Sequence, residues 1–119
     1  MTSGGLLQLD WNSGIDWQAI FRVSDVCQVH IYGTGDEGFA PTAASYCNSL
    51  SKPWVIEEFG KPQSFGDQAR ADYFNHIYGI GVSTGAEGTG FWNLGPEVTS
   101  ASHDVNVNTP LVWAAVRAH

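Results

Sequence analysis

Basic residues are scarce in this 119-residue chain: five lysines and arginines stand against twelve aspartates and glutamates, for a net charge of -7. A phosphate backbone or an anionic membrane surface is held by clustered cations, so this composition disfavours nucleic acid and membrane as partners. Long apolar runs are lacking too, and no stretch reaches the roughly 20 residues of a membrane-spanning helix. Residues 1–10 carry no basic segment and only a broken apolar stretch, which does not read as a signal peptide. Cysteine is limited to Cys27 and Cys47, too few to staple a fold by themselves and at a spacing that fits no metal motif. No internal repeat, low-complexity tract or linker divides the chain, and residues 1–119 read as one unit.

What is present is apolar bulk. The hydrophobic fraction is 43%, with five Trp, six Phe and four Tyr, enough to offset the entropy of ordering the chain. A charged fraction of 14% beside many aromatics suits a neutral, polyhydroxylated ligand. Residues 1–14 are rich in Gly, Ser and Asn and read as a loop. Asp16 can cap a short helix over 17–23, where Trp17, Ile20 and Phe21 fall at helical spacing. Residues 26–32 form a β-branched and aromatic run, which predicts a strand. A Gly-rich loop over 33–40 follows, then a helix from Pro41 to about Leu50. A second strand is predicted over 54–59, and a helix from Asp67 to about Gly79 with Ala69, Tyr73, Phe74, Ile77 and Tyr78 as its apolar stripe. A third strand is predicted over 89–94, then a long loop over 95–108. A last helix starts at Thr109-Pro110 and buries Leu111, Val112, Ala115 and Val116. Strands alternating with helices predict an α/β fold: about three β/α units of parallel sheet.

In such folds chemistry gathers at the C-terminal ends of the strands. The first predicted strand ends His30-Ile-Tyr32, the second Glu57-Glu58-Phe59-Gly60, the third Trp92-Asn93-Leu94-Gly95. Alternation puts His30 and Tyr32 on one face. Taken singly, a strand histidine is ordinarily a core or rim residue, a strand-end Trp packs, and a Glu-Glu pair is solvated. Their convergence on one rim argues for a site, because polar groups inside a barrel are costly unless a partner or substrate satisfies them. The Trp face can stack on a sugar ring while His, Tyr and carboxylate bond its hydroxyls. Cys27 has the parity opposite to His30 and so faces the helices, with Cys47 on the next helix. The pair is either a disulfide or two buried thiols, and neither has a base partner to activate it for catalysis.

These motifs resemble the last three strands of glycoside hydrolase family 5, which includes endo-β-mannanases and cellulases. The segments that carry the resemblance are His30-Ile-Tyr32, Lys52-Pro-Trp-Val-Ile-Glu-Glu-Phe-Gly60 and Gly90-Phe-Trp-Asn-Leu-Gly95. It runs from about residue 16 to residue 119, which ends like the closing loop and last helix of such a domain. The resemblance implies strands 6 to 8 of a (β/α)8 TIM barrel. A complete barrel takes roughly 250 residues, so this chain is under half of one. It also implies Glu58, the Glu directly before Phe, as the catalytic nucleophile. Glu57 is expected on the opposite face, toward the outer layer or the loop. His30 would line the subsite at the cleaved bond, Tyr32 would hydrogen-bond the nucleophile, and Trp92 would be the platform under the sugar. No metal or other cofactor is implied.

Retaining hydrolysis uses one carboxylate to attack the anomeric carbon and a second, roughly 5 Å away, to protonate the leaving oxygen. By resemblance the second should follow an Asn on strand 4, and no Asn-Glu pair occurs in the sequence. The resemblance thus implies part of a retaining endo-β-1,4-glycanase, mannanase- rather than cellulase-like, acting on β-linked polysaccharide and inactive as the isolated chain. It also implies a secreted, extracellular protein. The alternatives are a non-catalytic carbohydrate-binding module and a half-barrel that self-associates or takes up an N-terminal half through its open edges.

Overall fold

The computed structural model describes residues 14–119, and the predicted N-terminal loop falls largely outside them. Helix α1 spans Trp17–Val23, and Asp16 caps it by accepting from Ala19 N at 2.9 Å. Strand β1 is Cys27–Ile31 and β2 is Trp54–Phe59. They pair in parallel, and α2, Thr34–Ser49, makes the crossover between them. A short 3-10 turn at Gln63–Phe65 leads into α3, Asp67–Thr84, and α4 is Pro110–Ala118.

Helix α2 begins well before Pro41, which lies inside it. Proline at a helix start is a common signal, but here the first turn is capped by Asp36. Its carboxylate reaches back to accept from Tyr32 N at 3.0 Å and Gly33 N at 3.2 Å, satisfying N–H groups that the first turn leaves without helical partners. Helix α3 runs past Gly79. It stops at Gly85, which takes the left-handed conformation while Ala86 N bonds Gly81 O and Gly85 N bonds Val82 O. Its buried side holds Ala71, Phe74, Ile77 and Tyr78, whereas Ala69 is exposed. On α4, Val112 and Ala115 are buried but Leu111 is exposed. Thr109 does not cap α4: its hydroxyl donates to Asn106 O. The cap comes from α3, where Asp67 accepts from Leu111 N at 2.8 Å and Val112 N at 3.1 Å.

Among the described residues the sheet has two strands, not three. The predicted third strand is reduced to a parallel bridge between Ile56 and Thr89. Residues 87–92 still run alongside β2, through Glu87 N to Trp54 O, Ile56 N to Gly88 O and Gly90 N to Ile56 O. The next rung is out of step: Trp92 N bonds Phe59 O at 2.7 Å rather than the carbonyl of Glu58. The cause is a bulge. Val29 pairs with Ile56 but His30 pairs with Glu58, so Glu57 is an extra residue with no partner on β1.

The core lies between the sheet and its helices. Cys27, Val29 and Ile31 face it from β1, and Trp54, Ile56 and Phe59 from β2. They meet Ala40, Ala43, Ala44 and Cys47 of α2 and Phe74, Ile77 and Tyr78 of α3. Lys52 closes the edge by donating to Phe21 O, Arg22 O and Ser24 O at 2.7 to 2.8 Å. Cys27 and Cys47 are joined by a disulfide, with their Cα atoms 6.2 Å apart and a separation of 20 positions in sequence. Closing a loop of about that length removes denatured-state entropy worth roughly 3 kcal/mol. Replacing both cysteines by Ala should lower stability in urea by that amount, and an unchanged midpoint would contradict the assignment.

Candidate active site

The strand ends bring His30, Tyr32, Glu57 and Glu58 together. Tyr32 follows β1 directly, and its hydroxyl donates a short hydrogen bond to Glu58 Oε1. Burial pushes the Tyr32 phenol far above its ordinary value, and the bond to Glu58 adds to this. Tyr32 therefore stays protonated and remains a donor. Tyr73 on α3 steadies the strand end by donating to Ile31 O at 2.9 Å. His30 Nε2 lies 3.1 Å from Glu57 Oε2 and 3.6 Å from Glu58 Oε2. Glu57 thus differs from its expected place on the outer face. Strict alternation from Trp54 and Ile56, which face the helices, would send Glu58 to the helices and Glu57 toward His30. The bulge at Glu57 brings Glu58 round as well and returns Phe59 to the core.

Trp92 stands next to this cluster through its backbone, tied to Phe59, and its side chain is half exposed. The Trp92–Asn93 peptide is cis. Gly60 lets the segments converge: a Cβ there would meet Trp92 O at 2.8 Å, the His103 ring at 3.1 Å and the Tyr32 ring at 3.3 Å. Gly90 plays the same part beside the bulge, where a Cβ would meet Glu57 O at 2.6 Å.

His103 belongs to the site without any signal in the sequence, because residues 95–108 carry no periodic pattern. Its ring meets Tyr32 edge-on, with centroids 5.7 Å apart. Arg70 fixes this loop. Its guanidinium is buried and donates to Lys61 O at 2.9 Å, His103 O at 2.7 Å and Asp104 O at 2.9 Å. Burial, helped by the Arg70 charge, holds the His103 imidazole below its ordinary value of 6.5. The unfolded chain then takes up this proton before the folded one, so His103 favours the fold above about pH 6.5 and that contribution is lost as pH falls. His103→Gln should flatten the acid limb of a plot of urea midpoint against pH, and an unaltered limb would contradict this.

Among the described residues no group of three His, Cys, Asp or Glu is arranged to hold a metal ion. Apart from the cluster, a mostly apolar groove of about 400 Å³ lies between Leu94, Val105, Val107 and Trp113. What the strand ends offer is a carboxylate held by a phenol on one oxygen and faced by an imidazole near the other, with the Trp92 backbone alongside. That arrangement suits a nucleophile aimed at an electrophilic carbon.

No family model and no curated protein matches the sequence. Solved structures do match in shape. An endo-1,4-β-mannanase from Rhizomucor miehei superposes with a TM-score of 0.67 at 18% identity, over 88% of this chain and 34% of that one. The hyperthermostable endo-1,4-β-D-mannanase from Thermotoga petrophila gives 0.62 at 18% identity, over 90% and 38%. A glycoside hydrolase family 5 mannosidase from Rhizomucor miehei gives 0.51 at 15% identity, over 87% and 41%. These structures are TIM barrels. The likeness shows the fold: a small α/β piece with parallel strands, spanning roughly a third to two-fifths of the chains it matches.

Proposed function

We propose that this chain is the strand 6 to 8 portion of a family 5 retaining endo-β-1,4-glycanase, with Glu58 as its nucleophile. The observation that carries the reading is the grip of Tyr32 on Glu58 beside His30, at the C-terminal ends of parallel strands. Mannan is favoured over cellulose as the substrate, because the similar structures are mannanases and a mannosidase. Glu58 Oε2 attacks the anomeric carbon, the C–O bond to the leaving group breaks with its electron pair, and a glycosyl ester forms. Tyr32 steadies the carboxylate, His30 lines the subsite at the cleaved bond, and Trp92 stacks under the sugar.

The acid/base is not supplied by Glu57. Glu57 Oε2 is engaged by His30 Nε2 at 3.1 Å, and Glu57 is the chain neighbour of the proposed nucleophile, so it is not the second carboxylate across the cleaved bond. With no Asn-Glu pair in the sequence, natural mannan, whose leaving oxygen needs a proton, is not turned over by this chain alone. A substrate with a self-sufficient leaving group is the right probe. A dinitrophenyl β-mannobioside fluorinated at the carbon next to the anomeric centre should release one equivalent of dinitrophenolate and leave the protein glycosylated. Release with no protein adduct would count against the reading. Sustained mannan turnover would show that an acid/base is present after all.

A second reading, assembly with the rest of a barrel or with another copy, is favoured by the groove and by the exposed apolar side chains of Leu94, Val107 and Leu111. Light scattering showing a monomer that binds no hydrophobic dye would argue against it. The Cys27–Cys47 disulfide favours an oxidising, extracellular location.

A further inference from the structure

The bulge sets two carboxylates before one imidazole nitrogen, and one nitrogen carries one proton. His30 Nε2 is 3.1 Å from Glu57 Oε2, a hydrogen-bond distance, and 3.6 Å from Glu58 Oε2, which is too long for one. With the ring proton on Nε2, the 3.1 Å contact makes His30 the donor and Glu57 the acceptor. We infer that Glu57 is a positioning residue, which takes the Nε2 proton of His30 and thereby keeps it off the attacking oxygen of Glu58. The inference rests on the reading of Glu58 as nucleophile.

The consequence follows from the division of donors. Tyr32 already donates to Glu58 Oε1, which orients the carboxylate. A second donor on Oε2 would stabilise the charge that must attack and slow the step. Glu57 removes that donor while leaving the imidazole ring facing the same oxygen. Glu57 is also the residue that β1 leaves unpaired, and Gly90 makes room for its displaced carbonyl. The His30 side chain is 15% exposed and that of Glu57 41%, so the imidazole is well enclosed while Glu57 remains open to substitution without collapse of a core.

The test uses the whole chain with 15N-labelled histidine, in mildly alkaline buffer where an ordinary imidazole is neutral. One-bond 15N–1H correlation of His30 should show the proton on Nε2. Glu57→Gln keeps an acceptor oxygen and should retain both this pattern and the rate at which Glu58 is labelled by the fluorinated mannobioside. Glu57→Ala should free the proton to turn to Glu58 and slow labelling about tenfold, the size of one ordinary hydrogen bond, with no change in unfolding midpoint. A proton on Nδ1 in the parent chain, or wild-type labelling in the Ala variant, would overturn the inference. If no protein is labelled, the glycanase reading fails. The correlation spectra then decide the hydrogen bond alone: Nε2 supports it and Nδ1 refutes it.

Discussion

Glu58→Gln should cut covalent labelling by the fluorinated mannobioside by about a thousandfold or more, in keeping with the loss of a covalent nucleophile. The substitution keeps shape and volume. The carbonyl of the introduced amide can still accept from the Tyr32 hydroxyl, which burial holds protonated, so the fold should survive and the unfolding midpoint should move little. What disappears is the negative oxygen that forms the ester. Because the leaving dinitrophenolate needs no proton, the loss cannot be assigned to an acid. Glu57→Gln is the internal control: it also removes a carboxylate at the same rim, yet should leave labelling near the parent rate. Equal losses in the two variants would mean that charge at the rim, rather than attack by Glu58, governs the reaction.

Arg70→Met should be the most destabilising single change on the opposite side of the site, by about 3 kcal/mol or more. Met replaces the aliphatic stem but strands the carbonyls of Lys61 and His103, which Arg70 now bonds, and leaves that of Asp104 only the Gln63 amide at 3.3 Å. Buried acceptors left without partners cost about 1 to 3 kcal/mol each. The effect should also be local. Asp104 ties the same loop by accepting from Glu97 N at 2.8 Å, so residues 95–108 should exchange amide hydrogens faster while β1 and β2 stay protected. Urea unfolding with hydrogen exchange measures both. A midpoint change worth under about 1 kcal/mol, or uniform loss of protection, would contradict the role given to Arg70.

How much of this was legible in the sequence depends on the range of the interaction. His30, Tyr32 and Glu58 were readable because each closes a short apolar run, and strand ends are where chemistry collects in parallel α/β folds. That Glu57 and Glu58 share one face was not, because alternation assumes a regular strand and the bulge leaves no mark in Trp54-Val-Ile-Glu-Glu-Phe59. The same irregularity explains the third strand: residues 89–94 have strand composition, but the ladder they join slips by one residue at Glu57, and only the bridge at Thr89 forms. The start of α2 was obscured by Pro41, a strong local signal overridden by the Asp36 bonds to Tyr32 N and Gly33 N. Arg70 and His103 act across long sequence separations through backbone carbonyls and ring edges, which no local pattern encodes. The cap of α4 by Asp67 is of the same kind.

The central claim is that Glu58 makes the glycosyl ester. Peptide mapping by tandem mass spectrometry after labelling tests it most directly. The fluoromannobiosyl mass should sit on Glu58 alone, on the peptide that also contains Glu57. The same mass on Glu57 or any other carboxylate, or an unmodified protein after prolonged incubation, would contradict the account.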